Sequence, residues 1–288
     1  MKPPYGTPLF PFESKWTTID GCKIHYIDEG KGPVLLFCHP SVATMFMYRN
    51  FIRELSTHYR CVALDFPGFG LSVASSKYVQ SIRAQAEILK TLVVTLDLRD
   101  VIPVVQEIGG HAAIAALSST PALVKAVIIT DTIIYPASEY PRIASMLGFI
   151  NGRIFRFLNS RFNLLVRLTY GPGIRNSKLK ASEKAAYRSL FDTKEKRDLV
   201  TRMLHAIKEE EGLMQGVKDA FAKQFKYLPV LMIYGEKDPM NEMGIAERIH
   251  SELPSSELRI IPGEGHFPHE GAPVEMISLM KTWLAKKL

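Results

Sequence analysis

Glu107 is the residue that most strongly indicates the chemistry of this chain, because it lies at a predicted sharp turn between a strand and a helix. The segment Gln106-Glu107-Ile108-Gly109-Gly110 follows an apolar run at residues 101–106 and opens a helix rich in alanine. Small residues after the turn let the helix pack closely on the sheet, and such a turn lifts one side chain into a site. A carboxylate placed there can attack carbon or take up a proton.

Two further groups could work with Glu107. Asp238 stands in a loop after the apolar run at residues 230–234, and His266 stands in a loop after the last predicted strand. A carboxylate that orients a histidine makes it an effective base. Asp131 could also reach His266, but we favour Asp238 because its loop has a strand before it and a proline after it.

The elements that must position these groups alternate between strands and helices. Residues 17–26 alternate around Asp20-Gly21, which predicts a hairpin. Short apolar runs separated by helical stretches then predict an α/β, mostly parallel doubly wound sheet. The runs are residues 34–38, 61–65, 101–106, 126–130, 230–234 and 258–261, and the helical stretches include residues 51–58, 81–96, 245–253 and 273–288.

Residues 135–226 interrupt this alternation. They show only helical spacing, broken at Gly152, at Gly171-Pro172-Gly173 and at Gly212. We therefore expect a helical cap (lid) over residues 135–226, inserted into a core domain formed by residues 1–134 and 227–288.

The motifs along the core resemble those of α/β-hydrolases and are similar to the haloalkane dehalogenase and epoxide hydrolase branch. They are LFCHP at residues 36–40, LDFPGFGLS at 64–72, QEIGG at 106–110, TIIYP at 132–136, GEKD at 235–238 and GEGHF at 263–267. The resemblance implies an α/β-hydrolase fold with an inserted helical lid. It also implies Glu107 as nucleophile, His266 as base for water and Asp238 as the group that orients His266.

Three positions depart from the dehalogenase pattern. The tryptophan expected after the nucleophile is Ile108, the asparagine expected in the loop after the first histidine is Ser41, and the usual His-Gly is His39-Pro40. The resemblance implies an oxyanion hole formed by the N–H groups of Ser41 and Ile108. Glu107 is one methylene longer than the expected aspartate, and a displacement of roughly 1 Å can cost about 100-fold in rate unless the pocket is built around it.

Other polar residues carry weaker expectations. Epoxide opening needs acids that protonate the departing alkoxide, and the resemblance to epoxide hydrolases implies lid tyrosines for this role. The available tyrosines are Tyr135, Tyr140, Tyr170 and Tyr187. Among the remaining histidines, we expect His39 and His111 to be structural and His269 to be exposed to solvent.

Composition excludes several classes of protein. The chain has 288 residues and a net charge of +7, with basic residues concentrated between 153 and 223. No nucleic-acid motif accompanies that charge, so we expect a solvated helical face and no nucleic-acid partner. We also expect a reduced, cytoplasmic, soluble protein. The three cysteines lack metal-type spacing, residues 1–12 contain no apolar run suited to a signal peptide, and no later segment is apolar for the length that a membrane-spanning helix requires.

The sequence predicts a hydrolase with a carboxylate nucleophile, acting on a small to medium apolar substrate, with neither a metal nor an organic cofactor. Two alternatives remain open. One is a catalytically degenerate member that acts as a ligand-binding or interaction protein. The other is a cofactor-free, lyase-like enzyme that uses Glu107 or His266 as a base. The sequence does not indicate the oligomeric state.

Overall fold

The computed structural model describes residue 6 and residues 8–288, and one eight-stranded sheet runs through this part of the chain. The expectation that residues 1–12 contain no apolar run suited to a signal peptide falls partly on residues outside this range. The strands are β1 (Lys15–Ile19), β2 (Cys22–Glu29), β3 (Val34–Cys38), β4 (Arg60–Leu64), β5 (Val101–Gln106), β6 (Val127–Thr130), β7 (Val230–Gly235) and β8 (Ser256–Ile261).

The first two strands form the antiparallel edge of the sheet. The order of all eight strands across the sheet is β1-β2-β4-β3-β5-β6-β7-β8, with β1 and β2 at one edge. Asp20 and Gly21 have φ angles of 48° and 73°, and Ile19 faces Cys22 across the turn. Positive φ at both central residues is the conformation that a two-residue hairpin requires, so the predicted hairpin is confirmed.

The parallel strands bring the candidate site residues to one edge. Strands β5, β6, β7 and β8 are neighbours in that order and all run parallel. Glu107, Asp131, Asp238 and His266 each follow the carboxyl end of one of them. Because β3, β5, β6 and β7 are buried along their whole length, helices must cover both faces of the sheet, as the apolar runs predicted.

Thirteen α-helices lie within the described residues. They are α1 (Arg49–Leu55), α2 (Ile82–Thr95), α3 (Glu107–Leu117), α4 (Pro141–Ile150), α5 (Arg153–Phe162), α6 (Leu164–Thr169), α7 (Ala181–Leu190), α8 (Lys194–Glu209), α9 (Glu211–Ala222), α10 (Pro239–Glu242), α11 (Ile245–Glu252), α12 (Pro268–Gly271) and α13 (Pro273–Lys287). Short 3-10 helices lie at Met45–Tyr48, Pro121–Leu123 and Ala137–Glu139. Among these residues, no helix combines the length and the apolar character needed to cross a bilayer.

Six of the helices, α4 to α9, are inserted between β6 and β7, where the sequence predicts a cap. Gly152 precedes α5 and Gly171-Pro172-Gly173 follows α6, as expected, but the break predicted at Gly212 is wrong. Gly212 lies in the first turn of α9, and the chain breaks at Glu210 instead. The Glu210 carboxylate accepts hydrogen bonds from the N–H groups of Ile82 (2.7 Å) and Arg83 (3.0 Å), so a residue of the insertion satisfies the first two N–H groups of the core helix α2 beside its Ser81 cap.

A buried ion-pair network also ties the insertion to the core. Arg49 on α1 is 1% exposed and donates to both carboxylate oxygens of Glu270 on α12. It also donates to Glu183 on α7 (2.8 Å), and the Tyr187 hydroxyl of the same helix donates to Glu270. One guanidinium therefore holds three helices together.

We expect Arg49→Met to lower the free energy of unfolding by about 3–5 kcal/mol, because it leaves a buried carboxylate without its partner. Arg53→Met, an exposed position on the same helix, is the matched control and should stay within about 0.5 kcal/mol of the original protein. Urea unfolding of both variants measures the difference, and equal losses would contradict the role given to Arg49.

Candidate active site

The turn that carries Glu107 is strained as the sequence predicts. Gln106 is extended, whereas Glu107 has a φ of 50°, in the left-handed region that non-glycine residues seldom adopt. A Cβ atom at Gly109 would collide with the carbonyl oxygens of Cys38 and His39, so only glycine allows α3 to approach β3 this closely. The strained turn thus directs the Glu107 side chain away from the sheet.

Ser41 holds the Glu107 carboxylate. Its backbone N–H donates to Glu107 Oε2 (2.9 Å), and its hydroxyl lies 3.1 Å from Oε2 and 3.2 Å from Oε1. Burial raises the pKa of Glu107 above its ordinary value, although the positive charge of His266 and the Ser41 donors act in the opposite direction. The second predicted oxyanion donor, Ile108, follows directly in the first turn of α3, and its side chain is buried.

His266 pairs with the acid that the sequence favours. Its Nδ1 lies 3.1 Å from Asp238 Oδ1, which leaves Nε2 for chemistry, and its side chain is 26% exposed while that of Asp238 is fully buried. Burial lowers the pKa of His266, but the charge of Asp238, the hydrogen bond to it and the charge of Glu107 outweigh burial and raise it overall. Proton uptake is therefore favoured at this ring.

Sequence reasoning missed one residue that assembles this site, Gln106. Its side-chain amide donates to the backbone oxygen of His266 (2.7 Å), so it fastens the His266 loop to the strand that carries Glu107. A fully buried amide at the last position of an apolar strand was the available signal, since such a group needs a partner.

The rival acid, Asp131, lies beside Asp238, and the hydrogen bond of His266 goes to Asp238. Both carboxyl groups are fully buried; Asp131 Oδ1 accepts from the Gly235 N–H (3.0 Å) and Asp238 Oδ1 accepts from the Met240 N–H (3.0 Å). Burial and the charge of Asp238 raise the pKa of Asp131 well above its ordinary value. Burial acts in the same direction on Asp238, but His266 outweighs it and lowers the pKa of that carboxyl. Where two buried acids lie this close, one ionises more easily than the other, and these directions favour the proton on Asp131.

Asp131, Asp238 and His266 also form the one group within the described chain with three possible metal ligands, their ligand atoms lying within 4.8 Å of one another. Hydrogen bonding accounts for the group without an ion, because His266 Nδ1 is already engaged by Asp238. The expectation of a metal-free site stays an expectation.

Glu107 and His266 line a cavity of about 60 Å³. Seven of the twelve lining residues are apolar, and five of these seven come from the inserted helices α4 and α8, among them Ile143, Leu147 and Leu204. The volume can hold a few waters but lies well below the roughly 300–1,000 Å³ of ordinary ligand pockets. A substrate must therefore be small, or the inserted helices must move.

The other histidines near the site are all neutral by burial. His39 Nδ1 contacts the Pro40 carbonyl and its Nε2 accepts from the Phe66 N–H, while His111 Nε2 contacts the Ile133 carbonyl. Burial lowers the pKa of His111 to about 4 and that of His269 to about 3. The expectation that His269 is exposed is wrong: it is 0% exposed, because α12 turns it inward.

The four candidate tyrosine acids lie outside the cavity lining. The Tyr170 hydroxyl donates to the Val42 carbonyl (3.0 Å), and that of Tyr187 donates to Glu270. Tyr140 accepts from Arg248, whose guanidinium also stacks 3.8 Å from the ring centroid of Tyr135. The hydroxyls of Tyr140, Tyr170 and Tyr187 are thus engaged in holding the fold together.

Comparison with known proteins agrees with this architecture. Residues 33–273 match the alpha/beta hydrolase fold family, and the chain belongs to that family. Its described sheet, mostly parallel with one antiparallel edge, is the fold that the sequence predicted.

Named relatives cover most of the chain. Haloalkane dehalogenase 2 of Mycobacterium tuberculosis is 28% identical over 266 residues, which is 92% of each chain. A cis-3-alkyl-4-alkyloxetan-2-one decarboxylase of Shewanella oneidensis is 23% identical and covers 96% of this chain and 90% of its own. The crystal structure of the haloalkane dehalogenase DatA from Agrobacterium tumefaciens superposes with a TM-score of 0.84 at 17% identity over 98% of this chain and all of that one, which shows the shared fold. The family and the dehalogenase relative support the prediction that the protein is a hydrolase.

The Asp238 charge should be visible in the titration of His266. We expect Asp238→Asn to lower the pKa of the His266 ring, because it removes the negative charge that favours the protonated form. NMR titration of the ring, identified by the signal that His266→Gln removes, measures the shift. Asp131→Asn is the matched control, since it replaces a neutral acid by a neutral amide. An equal fall in both variants would contradict the assignment of the proton to Asp131.

Proposed function

We propose that the protein is a hydrolase in which Glu107 attacks an sp3 carbon of a small to medium apolar substrate, in chemistry similar to that of haloalkane dehalogenases. The observation that carries the proposal is the Glu107 carboxylate itself. It is raised on a strained turn, held at one oxygen by the Ser41 N–H, and placed at the wall of the same apolar cavity as His266. A buried, hydrogen-bonded carboxylate beside a histidine base is the arrangement that alkyl-ester chemistry needs.

In the first step, Glu107 Oε1 attacks carbon while Oε2 stays against the Ser41 N–H. The carbon–leaving group bond breaks, the leaving group takes the bonding electrons, and an ester forms on Glu107. The same carboxylate attacking an ordinary ester would give an anhydride, which is harder to reach, so an esterase is disfavoured. The apolar wall weakens the solvation of the carboxylate and so favours attack.

In the second step, His266 Nε2 takes a proton from water, and the resulting hydroxide attacks the ester carbonyl of Glu107. Oε2 becomes the oxyanion, where the Ser41 N–H already lies at 2.9 Å and the N–H of Ile108 would be the second donor. The alcohol leaves, Glu107 is regenerated as a carboxylate, and the buried Asp238 stabilises the protonated His266 until the proton is released.

The inserted helices would serve as the lid of this site, in a cap spanning residues 135–226. They supply most of the apolar wall, which suits a hydrocarbon substrate and excludes water from Glu107. The three cysteines are free and buried, in keeping with a cytoplasmic location.

His266→Ala should trap the intermediate. With a bromoalkane as the probe, we expect the variant to gain the mass of one alkyl group on Glu107, because attack proceeds but water is no longer activated. Intact-protein and peptide mass spectrometry locate the adduct.

The double variant Glu107→Gln, His266→Ala is the control and should stay unmodified, while Glu107→Gln alone should abolish turnover. Turnover of the original protein in oxygen-labelled water adds a second measurement, since the label must enter the Glu107 carboxylate before it enters the product. Label found only in the product would rule out the covalent path, and absence of any adduct or turnover would favour a ligand-binding protein.

A second candidate is proton-transfer chemistry of the lyase type. Burial raises the pKa of Glu107, which makes it a better base, and one relative bears the name of an oxetanone decarboxylase. Release of carbon dioxide from a β-lactone, with activity lost in Glu107→Gln but without any adduct in His266→Ala, would favour this candidate over the hydrolase.

A further inference from the structure

The excess positive charge of the chain is concentrated in one segment of the insertion. Residues 141–182 contain eight arginines and lysines and no aspartate or glutamate. The whole chain has a net charge of +7, so the remainder carries −1. This segment includes all of α4, α5 and α6. A single-sign region of this size attracts an anionic surface through long-range electrostatics.

Helix α5 within this segment is oriented with its polar side inward. Asn159 and Ser160 are buried: the Asn159 side chain donates to the Arg197 carbonyl (3.1 Å), and the Ser160 carbonyl accepts from the Arg197 guanidinium (2.7 Å). Two of its apolar residues face solvent, with Ile154 78% and Phe157 68% exposed, while Phe155 and Leu158 are half-buried. A surface helix of a globular protein ordinarily has the opposite orientation.

The neighbouring helices extend this apolar surface. Phe149 at the end of α4 is 70% exposed and packs against Phe155 of α5, with 5.4 Å between ring centroids. Phe162 is 48% exposed and Leu168 on α6 is 52% exposed. We call the exposed side chains of Phe149, Ile154, Phe157, Phe162 and Leu168, with the arginines beside them, the apolar–basic face.

Arginines are interspersed with these apolar side chains. Arg153, Arg156 and Arg161 on α5 and Arg167 on α6 are all exposed, and Arg156 also lies within electrostatic reach of Asp198 on α8. Aromatic and aliphatic side chains on the exposed side of a helix, with basic residues around them, are typical of helices that lie in the plane of a membrane interface. The long arginine side chains can reach headgroups while the apolar groups enter the acyl boundary.

We propose that the apolar–basic face docks on an anionic lipid bilayer, with α5 lying in the plane of the interface. Symmetric pairing of two copies through this face would bring two sets of eight positive charges together, which like-charge repulsion opposes. Docking would place α4, which also lines the cavity, against the lipid. The proposal goes beyond the chemistry at Glu107 and does not depend on it.

Vesicle flotation of the full chain tests the docking. The probes are vesicles of phosphatidylcholine alone and of phosphatidylcholine with added phosphatidylglycerol. We expect binding to the anionic vesicles that falls steeply with salt. Ile154→Ser with Phe157→Ser should weaken it at least about 10-fold, because two apolar side chains no longer enter the interface. Arg153→Gln with Arg161→Gln should weaken binding to anionic vesicles roughly 30-fold at low salt.

Val79→Ser with Val274→Ser is the matched control, since these residues are 77% and 82% exposed and lie elsewhere on the molecule. It should bind like the original protein, and thermal unfolding verifies that every variant is folded. The proposal is overturned if the original protein floats with neither vesicle, or if the control loses as much binding as the Ile154 and Phe157 variant. Binding to polyglutamate without binding to vesicles would overturn the proposal in favour of an acidic protein partner. A molecular mass that rises with protein concentration, and no longer does so in the Ile154 and Phe157 variant, would overturn it in favour of a second copy of the chain.

Discussion

The left-handed backbone of Glu107 is the constraint on which the site depends. A non-glycine residue at a φ of 50° carries a strain of about 1–3 kcal/mol, and such strain persists only where the surroundings hold it. Here the close approach of α3 to β3 at Gly109 fixes the helix, and Ser41 fixes the carboxylate. If that turn relaxed, the carboxylate would leave both its donor and the cavity, so the packing of one glycine sets the position of the Glu107 carboxylate oxygens.

Three carboxyl groups surround a single histidine, and their burial determines which of them are charged. Glu107 and Asp238 each interact favourably with His266, whereas Asp131 competes with Asp238 and takes a proton. Glu107 and Asp238 are thus the two carboxyl groups whose negative charge favours protonation of the ring, with Asp131 behind Asp238. Asp131 is therefore suited to keeping Asp238 in place by a hydrogen bond, a role that leaves the charge beside His266 unchanged.

Strand and helix patterns predicted most of the fold, because strands buried on both faces produce continuous apolar runs and the hairpin needs Asp20-Gly21. The order of motifs placed Glu107, Asp238 and His266 at one sheet edge. What local pattern could not predict depends on contacts distant in sequence: the Ser41 hydroxyl contact with Glu107, the Gln106 bond to His266, the burial of His269 and the bonds from the start of α2 to Glu210. Each of these depends on tertiary packing, which propensity and spacing do not encode.

The orientation of α5 is hard to explain by stability alone. Burying Asn159 and Ser160 gains little, while leaving Ile154 and Phe157 in water forgoes roughly 1.5–3 kcal/mol for each side chain that could be buried. A rotation of α5 would bury those groups only by breaking the contacts with Arg197 that anchor it to α8. The fold therefore fixes an apolar surface toward solvent, beside a concentration of positive charge. Such a surface is stabilised by a partner that has an apolar interior and an anionic boundary. A lipid bilayer fits this description better than the surface of a globular protein does.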